Sequence, residues 1–226
     1  MAARVPRQER GEQRRDALLA AAVEVLEVGG PAAFSARSVA GQAGLPLAAV
    51  SYYFPTLDDL LGAAIAVVVR GWVDHGEAVV GELEKTAERH GTARAATAIG
   101  AALLPSGGAP QLRRRYEQLL AAASYPVAAA AMADLRPRLR VLVERILLST
   151  GATSVIGADG LIALLDGAAI GAVSESAGGR GNQAVGDVRG RIESTLRTAL
   201  AEQYPAGQDA AVQSIQSSKD RPEIRS

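Results

Sequence analysis

Hydrophobic residues recur through most of this chain at the spacing of three and four that marks one face of an α-helix. Runs in which apolar and polar residues alternate, as in a half-buried strand, are few. A first helix is predicted over residues 10–28, and Gly29-Gly30-Pro31 ends it. Its inner stripe is Leu18, Ala22, Val25 and Leu26. The pattern therefore predicts an all-α protein.

Residues 34–61 predict two short helices joined by a tight turn. Ser35 is a favourable N-cap because its hydroxyl can accept a hydrogen bond from a first-turn backbone N–H, and Phe34 precedes it at the position of a hydrophobic staple. Gly44 is expected to end this helix, since glycine adopts the left-handed conformation at little cost. Proline is tolerated in a first turn, so the second helix is predicted to start near Pro46 or Leu47.

The second helix is predicted to be about two turns long, with Val50 and Phe54 on its inward face. Pro55 ends it, because the residue before a proline is pushed out of the helical region. Thr56 is then the N-cap of a long helix with an acidic first turn, which the helix dipole favours. Two short helices before a long one are typical of proteins that place a helix end in the major groove of DNA.

The remaining pattern is also helical. Residues 57–89 predict one long helix or two in tandem, the second possibility resting on Gly71 and Gly76, which allow a bend near Trp72. Leu57 belongs to its predicted inner stripe. Further helices are predicted over residues 92–104, 110–124, 127–149, 159–176 and 187–203. In the second of these, the residues expected inward are Leu112, Tyr116, Leu119 and Leu120, and those expected mostly outward are Arg113, Arg114 and Arg115.

The helix over 159–176 is apolar on almost every face, so it must be buried on all sides. The helix over 187–203 carries one apolar stripe. Together they predict a four-helix interface between two copies of the chain; the alternative is that both complete the core of a monomer. Residues 205–226 are polar and lack periodicity, which predicts a disordered tail.

Composition narrows the function classes. Apolar residues make up 48% of the 226 residues, and 24 basic residues balance 24 acidic ones, so any attraction to DNA must come from a local patch. The absence of cysteine excludes disulfides and thiolate metal sites. No apolar run is expected to reach the length that spans a bilayer, and no secretory signal is recognised, so no membrane partner and a cytoplasmic location are expected.

Residues 14–61 resemble the DNA-binding domain of the TetR family of bacterial repressors. The matching pieces are Phe34-Ser35, Arg37, Val39-Ala40, Ala43-Gly44-Leu45, Val50, Tyr52-Tyr53-Phe54 and Asp58-Asp59-Leu60-Leu61. The chain departs from the family at Pro46, where Ser, Thr or an acid is usual, and at Ser51, where Tyr is frequent. It also departs at Leu57, where the family usually has a phosphate-binding lysine.

The resemblance implies an all-α architecture in which an N-terminal three-helix helix-turn-helix domain, residues 1–56, is joined by a long helix to a larger domain, residues 57–204, for ligand binding and dimerisation. It implies a homodimeric repressor that reads a palindromic operator in double-stranded DNA through two recognition helices about 34 Å apart. The last two long helices, near 159–176 and 187–203, would form the dimer. An effector would shift the long helix that starts at Leu57.

The resemblance also implies which residues face DNA. They are Ser35, Arg37, Leu47, Ala48, Ala49, Ser51, Tyr52, Tyr53 and Thr56. Arg37 is expected to carry most of the base discrimination, because a guanidinium can bind O6 and N7 of guanine together. Apolar members can contact thymine methyls, and hydroxyls can hold phosphates. Tyr52 is expected to pack inward and Tyr53 to contact phosphate.

Residues 1–15 carry five arginines against two glutamates, an excess of three positive charges. The arginines are Arg4, Arg7, Arg10, Arg14 and Arg15. Such an arm can track phosphates or enter the minor groove, and the alternative for its first nine residues is a solvated tail.

An effector pocket is expected among the helices of residues 57–176. Its candidate residues are the polar or aromatic ones on apolar segments: Trp72, Tyr116, Ser124, Tyr125, Met132 and Asp166. Each could instead fill the core, and Asp166 needs a partner if it is buried. Few charges lie on the predicted inner faces, which indicates an apolar or aromatic effector.

No enzymatic activity is expected, because the chain shows no catalytic triad order, no HExxH and no phosphate loop. No cofactor is expected either. His75 and His90, without cysteine nearby, make a poor metal site. The competing hypothesis is a helical scaffold or partner-binding protein without specific DNA binding, which Leu57 in place of lysine and the weakly charged motif keep open.

Overall fold

A computed structural model describes residues 7–86, 91–177 and 185–202 of the chain. The helices are α1 (Arg7–Gly29), α2 (Ala36–Gln42), α3 (Leu47–Tyr53), α4 (Leu57–Glu84), α5 (Gly91–Leu103), α6 (Ala109–Ala122), α7 (Pro126–Thr150), α8 (Gly157–Ala177) and α9 (Val185–Thr198). A 3-10 turn over Pro31–Ala33 connects α1 to α2. Two short strands, β1 (Ala152–Thr153) and β2 (Ala201–Glu202), pair antiparallel. The predicted all-α class is confirmed.

Local signals fix the first three helices and the start of α4. The Ser35 hydroxyl accepts a hydrogen bond from the Ser38 backbone N–H at 3.0 Å. The Ser38 hydroxyl in turn accepts one from the Ser35 backbone N–H, and the two bonds form a capping box. Gly44 ends the α2 segment with a φ of 63°, a conformation that favours glycine. A second capping box, between Thr56 and Asp59, opens α4. The predicted caps are therefore confirmed.

Helix α4 runs without interruption over its 28 residues, so of the two alternatives predicted for this segment, one long helix is the one observed. It packs against α1 on one side and against α5 and α7 on the other. Gly76 marks the closest approach, since a Cβ atom there would lie 2.5 Å from Leu142 Cδ1. Leu57 was predicted inward but is exposed, because the buried stripe of α4 begins one turn later at Leu60.

Helices α5 to α9 form a bundle around one continuous apolar core. Helix α8 packs on α9, α6 and α7, and α5 packs on α7 and α9. Leu142, Ile146, Leu161 and Ile192 are fully buried inside it. The strand pair fastens the residues after α9 to the connection between α7 and α8.

Helix α6 is rotated relative to the predicted orientation. Its buried positions are Ala109, Leu112, Arg115, Gln118 and Ala122. Arg115 therefore points inward, whereas Leu120, predicted inward, is 76% exposed. The reason is geometric: Leu120 lies two residues after Gln118, on the opposite side of the helix, so the core-facing side carries two polar residues among three apolar ones.

Residues 157–175 of α8 are long and apolar enough, by length and composition alone, to cross a membrane. The expectation that no segment approaches this length is therefore wrong, because alanine, leucine and isoleucine fill the helix and charged residues are few. Only 28% of that segment is buried within the chain. An exposed apolar helix of this kind also suits a protein interface.

A candidate DNA-binding head and an internal cavity

Residues 7–56 form a compact unit that we call the head, and its outermost helix is α3. Helix α3 meets α4 at an angle of 80°. Val50 and Phe54 anchor the inner side of α3, each with only 4% exposure. On the opposite side, the side chains of Leu47, Ala48, Ser51 and Tyr52 are exposed. The head thus presents one face of a short helix to solvent, as a recognition helix requires.

The two tyrosines of α3 take opposite environments to those expected. Tyr52 is 79% exposed, whereas Tyr53 is half-buried and packs against the core of the head. The expected inward packing of Tyr52 is therefore wrong. Tyr53 follows Val50 by three residues and shares its side of the helix, while Tyr52 follows it by two and lies on the other. The rings contact each other edge to face, with centroids 4.8 Å apart.

Arginines flank the exposed face of α3. Arg10 and Arg14 of α1 line a cleft together with Pro46, Ala48 and Tyr52. Arg15 instead stacks its guanidinium on the Phe54 ring, 5.2 Å from the centroid. Most of the expected arm, from Arg7 onward, is thus the first part of α1, while Arg4 lies outside the described residues.

Arg37 lies on α2 rather than on α3, at the second residue of the helix. Its side chain is exposed, and within the described part of the chain it forms no ion pair or hydrogen bond. The guanidinium is therefore available to an external acceptor.

Three hydroxyls expected at phosphates have partners inside the head. Ser35 donates to Ser38 Oγ at 2.9 Å, and Thr56 donates to the Asp59 carboxylate at 2.8 Å. Ser51 donates to the Ala48 carbonyl at 3.2 Å. A phosphate oxygen needs a donor, so these hydroxyls would have to exchange an internal hydrogen bond for one to DNA.

The bundle contains a cavity of about 140 Å³ enclosed by α5, α6, α7 and α8. Its apolar lining is Leu103, Leu119, Met132, Leu135, Leu139, Ile162 and Leu165, and its polar lining is Arg115, Tyr116, Arg136 and Asp166. A mostly apolar pocket with a few convergent polar groups is typical of a small-molecule site.

Asp166 is held by two residues of the same chain. The Tyr116 hydroxyl donates to Asp166 Oδ1 at 2.9 Å, and Arg136 Nη1 donates to Oδ2 at 3.3 Å. Burial and the neighbouring carboxylate raise the pKa of Tyr116 far above its usual range, so the phenol stays protonated and remains a donor. Arg136 also lies within ion-pair distance of Asp159.

Arg115 is the least expected group in the cavity wall. Only 8% of the residue is exposed, and its guanidinium lies 4.4 Å from the centre of the Trp72 ring. Desolvation lowers its pKa to about 10, which still leaves it charged at neutral pH. Among the described residues it has no hydrogen-bonded or ion-paired acceptor; Asp166 acts on it only through its charge.

Two side chains on the neighbouring face of α6 reach the head. Arg114 Nη1 donates to the Glu27 carbonyl at 2.9 Å, and Gln118 Nε2 donates to the Leu26 carbonyl at 3.0 Å. Both carbonyls belong to the last turn of α1, and the Leu26 carbonyl also accepts from the Gly30 backbone N–H at 2.9 Å. Helix α6 therefore contacts the cavity and the head at once.

Residues 18–64 match the sequence model of the family described as bacterial regulatory proteins, tetR family. This part of the chain is a TetR-family N-terminal region. No curated protein sequence matches it.

Solved structures extend the likeness in fold over the bundle. A transcriptional regulator from Rhodococcus sp. Rha1 is 24% identical, with a TM-score of 0.60, over 82% of this chain and 95% of that one. The multidrug binding protein EbrR, complexed with proflavin, is 26% identical, with a TM-score of 0.56, over 80% and 99%. A TetR transcription regulator from Haloarcula marismortui ATCC 43049 is 18% identical, with a TM-score of 0.61, over 84% and 100%. The TetR fold is that of DNA-binding transcriptional regulators.

The cavity brings together three of the six residues expected there, Tyr116, Met132 and Asp166. Trp72 adjoins it through Arg115. Ser124 is exposed, and Tyr125, half-buried after α6, is outside the lining. His75 binds the Ala101 carbonyl at 3.0 Å, and His90 lies outside the described residues.

Sequence reasoning missed Arg115 and Arg136. Arg115 follows Leu112 by three residues and precedes Leu119 by four, the spacing of a shared helix face. That signal was hidden because Arg113, Arg114 and Arg115 form a run that indicates a solvated face. Arg136 has no comparable signal and joins the cavity only through the packing of α7 on α8.

Proposed function

We propose that this chain is a dimeric, sequence-specific DNA-binding repressor that a small-molecule effector releases from its operator. The observation that carries the proposal is the exposed side of α3, flanked by Arg10 and Arg14, in a head whose sequence matches the TetR family. The division into a DNA-binding domain, residues 1–56, and an effector and dimerisation domain, residues 57–204, follows from it.

The proposed DNA contacts divide by chemistry. Arg37 is the base reader, Arg10 and Arg14 balance phosphate charge, and Leu47 and Ala48 contact thymine methyls. Tyr52 replaces Tyr53 as the phosphate-binding phenol, since its side chain is the exposed one. Ser35 and Thr56 contribute mainly by capping α2 and α4. Ala49 and Ser51 complete the contact surface.

Exposed small residues support a dimer through α8 and α9. Ala163, Gly167 and Gly171 fall on one exposed side of α8, with Ile170 beside them, and Gly190 is exposed on α9. A Cβ atom added at Gly167, Gly171 or Gly190 would meet nothing within 4 Å. Small side chains let helices of two copies approach closely, and an isologous four-helix contact would place two heads on one duplex.

The cavity supports an effector with an apolar body, and the EbrR structures with proflavin and ethidium support an aromatic one. Helix α6 supports a route from effector to DNA, because Arg114 and Gln118 bind the last turn of α1 while Arg115 and Tyr116 line the cavity. A coupling of about 1–3 kcal/mol per site is enough for useful regulation. A cytoplasmic location accords with this function.

Selection of bound sequences from random DNA tests the DNA-reading role. We expect a palindrome with half-sites about one helical turn apart. Arg37→Ala should then weaken binding by about 1–3 kcal/mol at one base pair. Arg70→Ala, which removes an exposed arginine from α4, is the matched control and should leave affinity unchanged. Equal weakening of specific and non-specific DNA by Arg37→Ala would contradict base reading.

Sedimentation of a glycine variant tests the dimer. Gly171→Glu adds a charge to the exposed side of α8 without an internal clash, so it should yield a folded monomer that no longer binds the palindrome. Gly71→Glu makes the same change in open space on α4 and should remain dimeric. If the Gly171 variant sediments as a dimer, the proposed interface is wrong.

A further inference from the structure

The cavity wall holds one charge for which residues 7–86, 91–177 and 185–202 supply no direct acceptor. Arg136 and Asp166 offset each other, and the two Asp166 oxygens accept from Arg136 and Tyr116. Arg115 is the charged group of the wall that has no hydrogen-bonded or ion-paired acceptor among the described residues, and it is more than nine-tenths buried. A buried charge is strongly unfavourable unless it is paired and hydrogen-bonded. The Trp72 ring face relieves part of this cost but accepts no N–H···O hydrogen bond.

A ligand that binds Arg115 must supply the acceptor and the charge that the cavity wall does not provide. It needs one negative charge, since the Arg115 guanidinium has no direct acceptor among the described residues, and a nearby carboxylate at Asp166 disfavours a second negative charge. It needs planar paired acceptors, because the guanidinium fork matches a carboxylate in two parallel hydrogen bonds. The rest of the ligand must be apolar, since leucine, isoleucine and methionine form the remaining lining.

The size of the cavity restricts the apolar part. Its volume is about 140 Å³. Apolar cavities of about 150 Å³ in another protein accept benzene. One six-membered ring or an aliphatic chain of similar volume therefore matches the space, with its acid group directed at α6.

We propose that the effector is a small monocarboxylic acid whose carboxylate is bound by Arg115 and whose apolar body fills the cavity between α6, α7 and α8. This inference rests on the proposed function, because it names the chemical class of the molecule that releases DNA. Leu119 and Leu139 flank the apolar body, and Tyr116 closes the polar side while it holds Asp166. Arg136 and Asp166 remain a pair at the wall and select against an amine head group.

Calorimetric titration of the full chain with three isosteric probes tests the head group. Benzoate, benzamide and benzylamine share one ring and differ in charge. Benzoate should bind at least tenfold more tightly than benzamide, and benzylamine should not bind measurably. Hexanoate against hexanamide repeats the comparison with a flexible body. If neither carboxylate exceeds its amide, or if benzylamine binds best, the assignment is overturned.

Variants locate the binding group. Arg115→Met should lower benzoate affinity at least tenfold and remove its preference over benzamide, while Arg115→Lys should retain part of that preference. Arg113→Met, two residues earlier on the exposed side of α6, is the matched control and should bind benzoate as the parent does. Benzoate binding that survives Arg115→Met unchanged would place the carboxylate elsewhere and refute the assignment.

These measurements contain no DNA, so the two proposals fail separately. Release of the selected palindrome by a neutral or cationic compound, with no carboxylate binding, would overturn the acid and leave the ligand-released repressor standing. Carboxylate binding that depends on Arg115, with no effect on a palindrome-bound chain, would support the assignment of the site and count against regulation by it.

Discussion

Two arginines of this protein stack on aromatic rings, one in the head and one in the bundle. Arg15 covers Phe54 at 5.2 Å with its charge in water, and Arg115 covers Trp72 at 4.4 Å with its charge buried. The contact is the same, but only the second has lost its hydration. Water can hydrogen-bond to the exposed Arg15 guanidinium, whereas the buried Arg115 guanidinium needs an acceptor that the described residues do not supply. Burial therefore makes an unpaired charge informative about a ligand.

The largest effect should come from the ring beneath the buried charge. Trp72→Ala removes the cation–π contact and leaves a void beside Arg115, so it should lower the free energy of unfolding by about 3 kcal/mol. Trp72→Phe keeps a ring face and should cost about 1 kcal/mol. Denaturant titration measures both. Equal losses would mean that Arg115 gains nothing from the aromatic face.

Replacing the stacked arginine should change the free energy of unfolding in opposite directions in the bundle and in the head. Without ligand, Arg115→Met replaces a desolvated charge with an apolar chain of similar length and should raise the free energy of unfolding by about 1 kcal/mol. Arg15→Met removes a solvated cation–π contact and should lower it by roughly 0.5–1 kcal/mol. Losses in both variants would show that Arg115 is compensated inside the protein, and the comparison would fail.

A surface cluster between α4 and α7 supplies a smaller, pH-dependent effect. Arg145 binds Glu84 through two hydrogen bonds of 2.9 and 2.7 Å and also contacts Glu77. The hydrogen bond from Arg145 lowers the pKa of Glu84 below its ordinary 4.5. The folded state thus holds its proton less tightly than the unfolded state, so the stabilisation is present above about pH 4.5 and is lost as pH falls through the folded pKa.

Arg145→Met should therefore destabilise the chain at pH 7 by no more than about 1 kcal/mol, because the group is partly solvated. The difference from the parent should shrink below pH 4, as thermal melts at both pH values would show. Arg140→Met, which removes an exposed i,i+4 pair on the same helix, is the control. A difference that grows in acid would contradict the assigned sign.

The smallest stability change is expected on the outer side of the head. Tyr52→Ala should alter the free energy of unfolding by less than about 0.5 kcal/mol while it weakens DNA binding. Tyr53→Ala should destabilise the head because its ring packs on the core. Paired melts and gel shifts separate the two outcomes. If Tyr53→Ala weakens DNA binding and Tyr52→Ala instead destabilises the head, Tyr53 is the phosphate contact.

The head could be predicted closely because its signals are local. Ser35, Gly44, Pro46 and Thr56 act on the backbone within a few residues, so their effect does not depend on what packs nearby. The periodicity of the bundle helices was equally visible, and the all-α class with a long linking helix follows from it.

The candidate sites were predicted less well because tertiary packing decides which side of a helix is covered. The tyrosines are an exception, because Tyr53 follows the inward Val50 by three residues and its half-buried position was available from that spacing, while Tyr52 is exposed. Arg115 sits in a run of arginines that favours solvent, yet α6 is held with that side inward by its contacts with α8. Such choices depend on residues distant in sequence, which a periodic pattern does not contain.

Under the proposed function, effector binding and contact with the head use separate side chains of α6. The cavity is lined by positions 115, 116 and 119 of this helix, and the head is bound by positions 114 and 118. The two sets lie on adjacent strips of the helix surface. Mutations at the cavity-lining positions can therefore change which ligand binds without altering the hydrogen bonds between α6 and α1. If the proposed function holds, related proteins can evolve to bind new effectors while Arg114 and Gln118 keep their contacts with the head.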